Sequence, residues 1–140
     1  MIKKNKIAFI TGITGQDGSL LAEFLLKKKY IVHGLKRRTS TLYATQRLDK
    51  IYQEKNFQKN KTLILHYGDV TDPLNCSELI NKIMPDEIYH LAAQSHVAIS
   101  HVMPLYTTMV DSIGALTILE IIKNIKKKKI KFYNAATSEM

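Results

Sequence analysis

Gly12, Gly15 and Gly18 recur at every third position of Thr11-Gly12-Ile13-Thr14-Gly15-Gln16-Asp17-Gly18. Glycine lets a chain turn tightly and lets backbone approach a ligand without a Cβ in the way. An apolar run, Ile7-Ala8-Phe9-Ile10, precedes this stretch and an amphipathic one, Ser19–Leu26, follows it. The order reads strand, glycine turn, helix. The first N–H groups of such a helix, and the positive end of its dipole, face the turn, where a phosphate fits. The spacing is not the Gly-x-Gly-x-x-Gly of the usual dinucleotide fingerprint, so a purely structural turn is the competing reading. Its position in the first βα unit favours a pyrophosphate.

A second group of residues follows the second expected strand: Lys36-Arg37-Arg38-Thr39-Ser40. An acidic residue here would hold the ribose hydroxyls of NAD, whereas arginine accommodates the 2′-phosphate of NADP. Planar guanidinium forks suit phosphate, and the adjacent hydroxyls add donors. A solvated basic loop is the alternative; the place at the end of strand two favours NADP. Asp69 and Val70 follow strand three, where a carboxylate can meet an adenine amino group and the valine can pack on the ring; an ordinary turn aspartate is the alternative. Leu91-Ala92-Ala93-Gln94-Ser95 follow strand four with small side chains that let a nucleotide lie against backbone. Thr137, Ser138 and Glu139 follow strand five. A hydroxyl beside a carboxylate can bind a sugar hydroxyl and move a proton, although such a triplet also caps helices. His96 and His101 lack metal-ligand spacing with any cysteine or carboxylate and read as loop histidines.

The elements that must position these groups alternate strand and helix, which argues for a parallel α/β sheet. Strands are expected at Lys6–Thr11, Tyr30–Lys36, Thr62–Tyr67, Ile88–Leu91 and Ile130–Ala135. Helices are expected at Gly18–Lys29, with Leu21, Phe24 and Leu25 toward the sheet, at Thr45–Tyr52, and at Pro73–Met84, with Asp72 as N-cap and Pro73 at the first position. Ala92–Met103 reads as loop. A long helix from about Pro104 to Lys126 is apolar nearly all round, so it should be buried on more than one side. The fold class is a Rossmann-like doubly wound parallel sheet that stops after its fifth strand. Residues 1–140 make one dinucleotide-binding domain, incomplete and without a substrate domain.

Composition narrows the classes. Hydrophobic content of 45% and charged content of 24% are ordinary for a globular protein. No apolar run approaches the ~18 residues of a membrane span, and Ile7–Ile10 is too short for a signal-peptide core, so a cytoplasmic protein is the expectation. The net charge is +9, yet the lysines are scattered and no basic stripe alternates with aromatics, which argues against nucleic acid. The single Cys76 forms no internal disulfide and reads as a small core residue.

Together these residues resemble the extended short-chain dehydrogenase/reductase family, and within it the GDP-mannose 4,6-dehydratases. The resemblance rests on Gly12–Ser19 with Leu21–Leu26, His33–Arg38, His66–Asp69, Pro85–Tyr89, Ala93–Val97, and Phe132-Tyr133 with Ala135, Thr137, Ser138 and Glu139. It implies a redox-neutral dehydration: hydride leaves C4 of the mannose ring for NADP, a carboxylate takes the acidified C5 proton, water leaves from C6, and the hydride returns there. By position it implies that Thr137 binds the 4-hydroxyl and Glu139 is the C5 base. It implies NADP contacts from Gly12–Gly18, Arg37–Ser40, Asp69, Val70, Leu91–Ser95 and Tyr106, and a homo-oligomer. The chain departs from the family pattern at Ala136, Asn134, His101 and Met109. The family's Tyr-x-x-x-Lys pair is not found in these 140 residues. The expectation is therefore the NADP-binding portion of a larger enzyme, inactive alone. Another nucleotide-sugar epimerase or dehydratase, or a non-catalytic NADP-binding module, is the alternative.

Overall fold

The computed structural model describes residues 5–38, 45–53 and 61–136. Five strands form one sheet: β1 (Ile7–Thr11), β2 (Ile31–Lys36), β3 (Leu63–Tyr67), β4 (Glu87–His90) and β5 (Lys131–Asn134). The spatial order is β3-β2-β1-β4-β5 and every pairing is parallel. The chain starts in the middle, winds out to β3, crosses back over β1, and winds out the other way. The doubly wound architecture expected from the alternating pattern is therefore present.

A parallel sheet is covered on both faces, so its strands carry apolar residues on both. On one face Ala8, Ile10 and Val32 pack under α1 (Gln16–Lys27) and α2 (Gln46–Gln53), with Ala22, Leu25, Leu26, Leu48 and Ile51 filling the layer. On the other face Phe9, Leu35 and Ile88 meet Cys76 and Ile80 of α3 (Pro73–Ile83) and Val110 and Ile118 of the long helix. Asp72 caps α3 as expected, its Oδ1 accepting the N–H of Leu74 (3.1 Å) and Asn75 (3.0 Å). Cys76 is buried, its thiol donates to the Asp69 carbonyl at 3.4 Å, and burial pushes its pKa up to about 11. That agrees with an inert core residue.

Several sequence expectations need correction. Helix α1 begins at Gln16, two residues early, and Phe24 is 55% exposed instead of facing the sheet. Its buried side is made of Gly18, Ser19, Ala22, Leu25 and Leu26, and the first three are small enough to let the helix approach closely. Phe24 falls outside that side, beneath the Lys28 ammonium at 5.3 Å. Strand β4 is shifted one residue toward the N-terminus. The stretch expected to be loop between Ala92 and Met103 contains α4 (Val97–Val102), so His101 lies on a helix. The helix Pro104–Asn124, α5 here, is long and apolar enough to cross a membrane by length and composition alone, contrary to the sequence reading. In this fold its Val110, Ala115 and Ile118 are buried in the domain. Its other side is not covered: Ile113, Leu116 and Leu119 are about half exposed. Within α5 the turn Met109–Ile113 is π-helical.

Candidate functional site

The carboxyl ends of the strands surround a cavity of about 800 Å³. Its floor is the glycine turn. Gly12 has φ +68°, and a Cβ there would lie 2.7 Å from the Leu91 carbonyl and the Ala92 nitrogen. A Cβ on Gly18 would lie 2.3 Å from the Gly12 oxygen. Both glycines are therefore required by close backbone approach. Gly15 donates to the Gly12 carbonyl at 2.9 Å and stands as N-cap of α1, with no side-chain cap. The first N–H groups of the helix are left without a side-chain acceptor at the cavity, the arrangement that favours an anion.

The loop after β4 is tied to this floor by a buried hydroxyl. Thr11 Oγ1 accepts the N–H of Leu91 and of Ala92, each at 3.2 Å. With both its acceptor sites engaged, the hydroxyl gives its proton to His90 Nδ1, 2.8 Å away. His90 thus carries its own proton on Nε2, which is buried and has no hydrogen-bond partner among the described residues. Burial lowers the pKa of His90, against an opposing pull from Asp111, so the ring stays neutral and the relay intact. Thr11 and His90 were missed by sequence reasoning. A polar residue ending each of two central parallel strands was the available signal.

Gly12, Thr14, Gly15, Gln16, Asp17 and Gly18 line the cavity, whereas Ile13 does not. Its side chain is fully buried among core residues, against the space a Cβ on Gly34 would occupy. Arg37 and Arg38 line the β2 end. Arg37 Nη1 donates to the Tyr106 hydroxyl across the cavity, joining β2 to α5. Asp69 and Val70 line it too, and the Asp69 Oδ1 also accepts the Thr71 N–H at 3.0 Å and hydroxyl at 2.9 Å. That aspartate shapes a turn and also lines the cavity. Leu91, Ala92, Ala93 and Ser95 line the wall beyond β4. Gln94 does not: its amide Nε2 donates to the His96 carbonyl and the Thr107 hydroxyl, and its backbone N–H donates to Asp111 at 2.7 Å. Lys36, which heads the basic group after β2, lines the cavity, and so do Tyr67, Ala135 and Ala136, which were not expected there. Thr39, Ser40, Thr137 and Glu139 lie outside the described residues.

A turn that excludes a Cβ at Gly12 and Gly18, an uncapped helix N-terminus and cations at the end of β2 together fit a dinucleotide. Comparison with known proteins adds the family. Residues 9–140 match the family model described as GDP-mannose 4,6 dehydratase. The chain belongs to the GDP-mannose 4,6-dehydratase family. A member from Vibrio cholerae, GDP-mannose 4,6-dehydratase, is 54% identical over 136 residues, covering 96% of this chain and 36% of its own. The chain thus spans just over a third of that relative's length. Among solved structures, UDP-glucose 4-epimerase from Thermotoga maritima with UDP-glucose has a TM-score of 0.70 at 25% identity, covering 91% of this chain and 37% of that one. The Thermus thermophilus UDP-glucose 4-epimerase complex with NAD has a TM-score of 0.65 at 23% identity, covering 84% and 33%. Both support the fold.

Proposed function

We propose that residues 1–140 form the cofactor-binding unit of a GDP-mannose 4,6-dehydratase that uses NADP. The observation that carries this is the cavity itself: a Cβ-excluding glycine turn and uncapped helix N-terminus at one side, Arg37 and Arg38 at the other. NADP would supply a reversible hydride acceptor for a sugar carbon. The chain's own residues do the holding. The N–H groups at the start of α1 receive the pyrophosphate. The two guanidinium groups receive the 2′-phosphate as planar forks. Val70 and Asp69 flank the adenine, and Tyr106 faces the same cavity from α5.

The substrate in this reading is GDP-mannose, and the overall reaction is loss of water to give GDP-4-dehydro-6-deoxymannose, a lyase step of cytoplasmic nucleotide-sugar metabolism. β5 delivers Ala135 and Ala136 to the cavity. Thr137 and Glu139 follow them in sequence, as the residues to hold the sugar 4-hydroxyl and take the C5 proton. A homo-oligomer is part of the proposal. It is supported by the uncovered apolar side chains of α4 and α5, among them Val102, Leu105 and Leu116, each more than half exposed. A monomer in light scattering would remove that part.

The test of the cofactor reading is a fluorescence titration of the chain with NADPH and with NADH. NADPH is expected to bind at least about tenfold more tightly, the worth of one charge-assisted phosphate contact. Equal affinities would overturn the choice of NADP.

A further inference from the structure

At the outer end of the cavity Lys36 and Tyr67 face each other across β2 and β3. They are register partners in the parallel ladder. Their side chains share the face of Val32, Leu63 and Leu65, which pack against α1 and α2. The Lys36 ammonium lies 4.5 Å from the centroid of the Tyr67 ring. The ring is 63% exposed, unusual for a large aromatic at the end of a strand, and both residues line the cavity. Among the described residues no carboxylate forms an ion pair with Lys36. The next residue, Arg37, leaves the strand on the opposite side and reaches Tyr106. Consecutive cations thus flank the strand end from both faces of the sheet.

A lysine with a free carboxylate nearby would be neutralised by it; an aromatic face orients an ammonium without cancelling its charge. The stem of Lys36 is flexible and its ammonium is a compact point charge with three donors. Holding it over the ring removes part of the freedom that a ligand would otherwise have to freeze. A phosphomonoester brings about −1.5 to −2 charges and three acceptor oxygens at neutral pH, and Arg37 already gives an Nη1 N–H to Tyr106, which leaves room for a further donor.

We propose that Lys36, held in position by the ring of Tyr67, is a third cation for the phosphomonoester of a 2′-phosphorylated dinucleotide, and that this pair adds to the preference over the unphosphorylated form that Arg37 and Arg38 give. The inference rests on the NADP reading and deepens it. Lys36 touches the ligand; Tyr67 is a positioning residue that acts through Lys36.

The experiment uses the full chain and titrates NADPH and NADH, at low and at near-physiological salt, against three variants, with a melting curve for each. Lys36→Gln is expected to weaken NADPH about tenfold at low salt and to leave NADH within about twofold. The loss should shrink as salt screens the phosphate contact. Tyr67→Leu should weaken NADPH by a smaller factor, about threefold, on the scale of an exposed cation–π contact. Tyr67→Phe should restore it, because the ring face is what holds the ammonium. Equal losses for NADPH and NADH, no loss in Lys36→Gln, or a Tyr67→Phe that behaves like Tyr67→Leu would each overturn the proposal. Both side chains lie at the sheet's edge, so the two variants test it independently if one melts early. A wild-type chain that binds both nucleotides equally, or neither, overturns the NADP reading and this inference with it. A wild-type preference that is undiminished in Lys36→Gln and Tyr67→Leu overturns this inference alone.

Discussion

The two ends of the sheet treat charge in opposite ways. At the amino end every carboxylate is engaged. Glu87 takes Lys6 at 3.2 Å, the Tyr89 hydroxyl at 2.8 Å and the Tyr30 hydroxyl at 3.5 Å. Asp86 accepts the Ile7 N–H at 2.7 Å and pairs with Lys128 at 2.8 Å, whose ammonium also donates to the Met84 carbonyl. Burial works against ionisation of both acids, but these partners hold them below the usual carboxylate range. At the carboxyl end Lys36 and Arg38 have no carboxylate partner among the described ion pairs, and the first turn of α1 has no side-chain cap. One end spends its polar groups on holding the strands together; the other keeps them available. A sheet that is satisfied at one end can leave the other poised for a ligand without losing its register.

The strongest way to break this contrast is to fill the turn. Gly12→Ala places a Cβ against the backbone of Leu91 and Ala92 at a positive φ. The expected outcome is a loss of about 3 kcal/mol in denaturant unfolding and NADPH binding weakened more than about a hundredfold. Glu87→Ala should separate the ends. It strands two tyrosine hydroxyls and should cost about 2 kcal/mol by the same measurement, with the NADPH affinity of the folded fraction unchanged. A parallel loss of binding would show that the ends are coupled. Arg38→Gln should do the reverse: an affinity for NADPH lower by about tenfold, ~1.4 kcal/mol, and an unchanged melting temperature.

Between the two ends lies a fourth test, the stacked pair His33 and His66. Their rings are 5.1 Å apart, with His33 Nδ1 2.9 Å from His66 Nε2. One shared proton satisfies that contact; two would oppose each other. Burial, and then the neighbouring His66, lower the pKa of His33 to about 4, and burial lowers that of His66 as well. An unfolded histidine titrates near 6.5. As pH falls from about 6.5 toward 4 the unfolded chain takes up protons that the folded chain refuses, so stability is lost across that window and is full above it. The loss assigned to His33, discounted for its partial exposure, is about 1–2 kcal/mol. Urea unfolding at pH 5 and 7.5 should show it, and His33→Phe should flatten the slope.

Local features of the site were legible in the sequence because they are contiguous. The glycine turn, the cations after β2 and the Asp72–Pro73 helix start each lie within a few residues. What sequence reasoning missed depends on meetings between distant segments. Thr11 and His90 are ordinary strand residues until β1 and β4 pair. Lys36 and Tyr67 become a unit only through the β2–β3 register. Helix α4 was hidden because its six residues, with Ser100 and His101 among them, are too few to establish a period. Phe24 was misplaced because the small residues Gly18, Ser19 and Ala22 share the buried side of α1 with Leu25 and Leu26, and a reading by large apolar residues alone does not show them. No local rule shows that the Gln94 amide donates to His96 and Thr107, which is why its place outside the cavity lining was not legible.

The hydroxyl of Thr11 reaches the N–H of Ala92 across 81 residues of chain. That distance has a kinetic consequence. Closing so long a loop costs entropy before any contact repays it, so the wall of the cavity is among the last parts to form as the chain folds. A ligand of this site cannot template the early steps, because neither half of its cradle exists alone. It can only trap the finished fold, so saturating nucleotide should slow unfolding while leaving the refolding rate as it was.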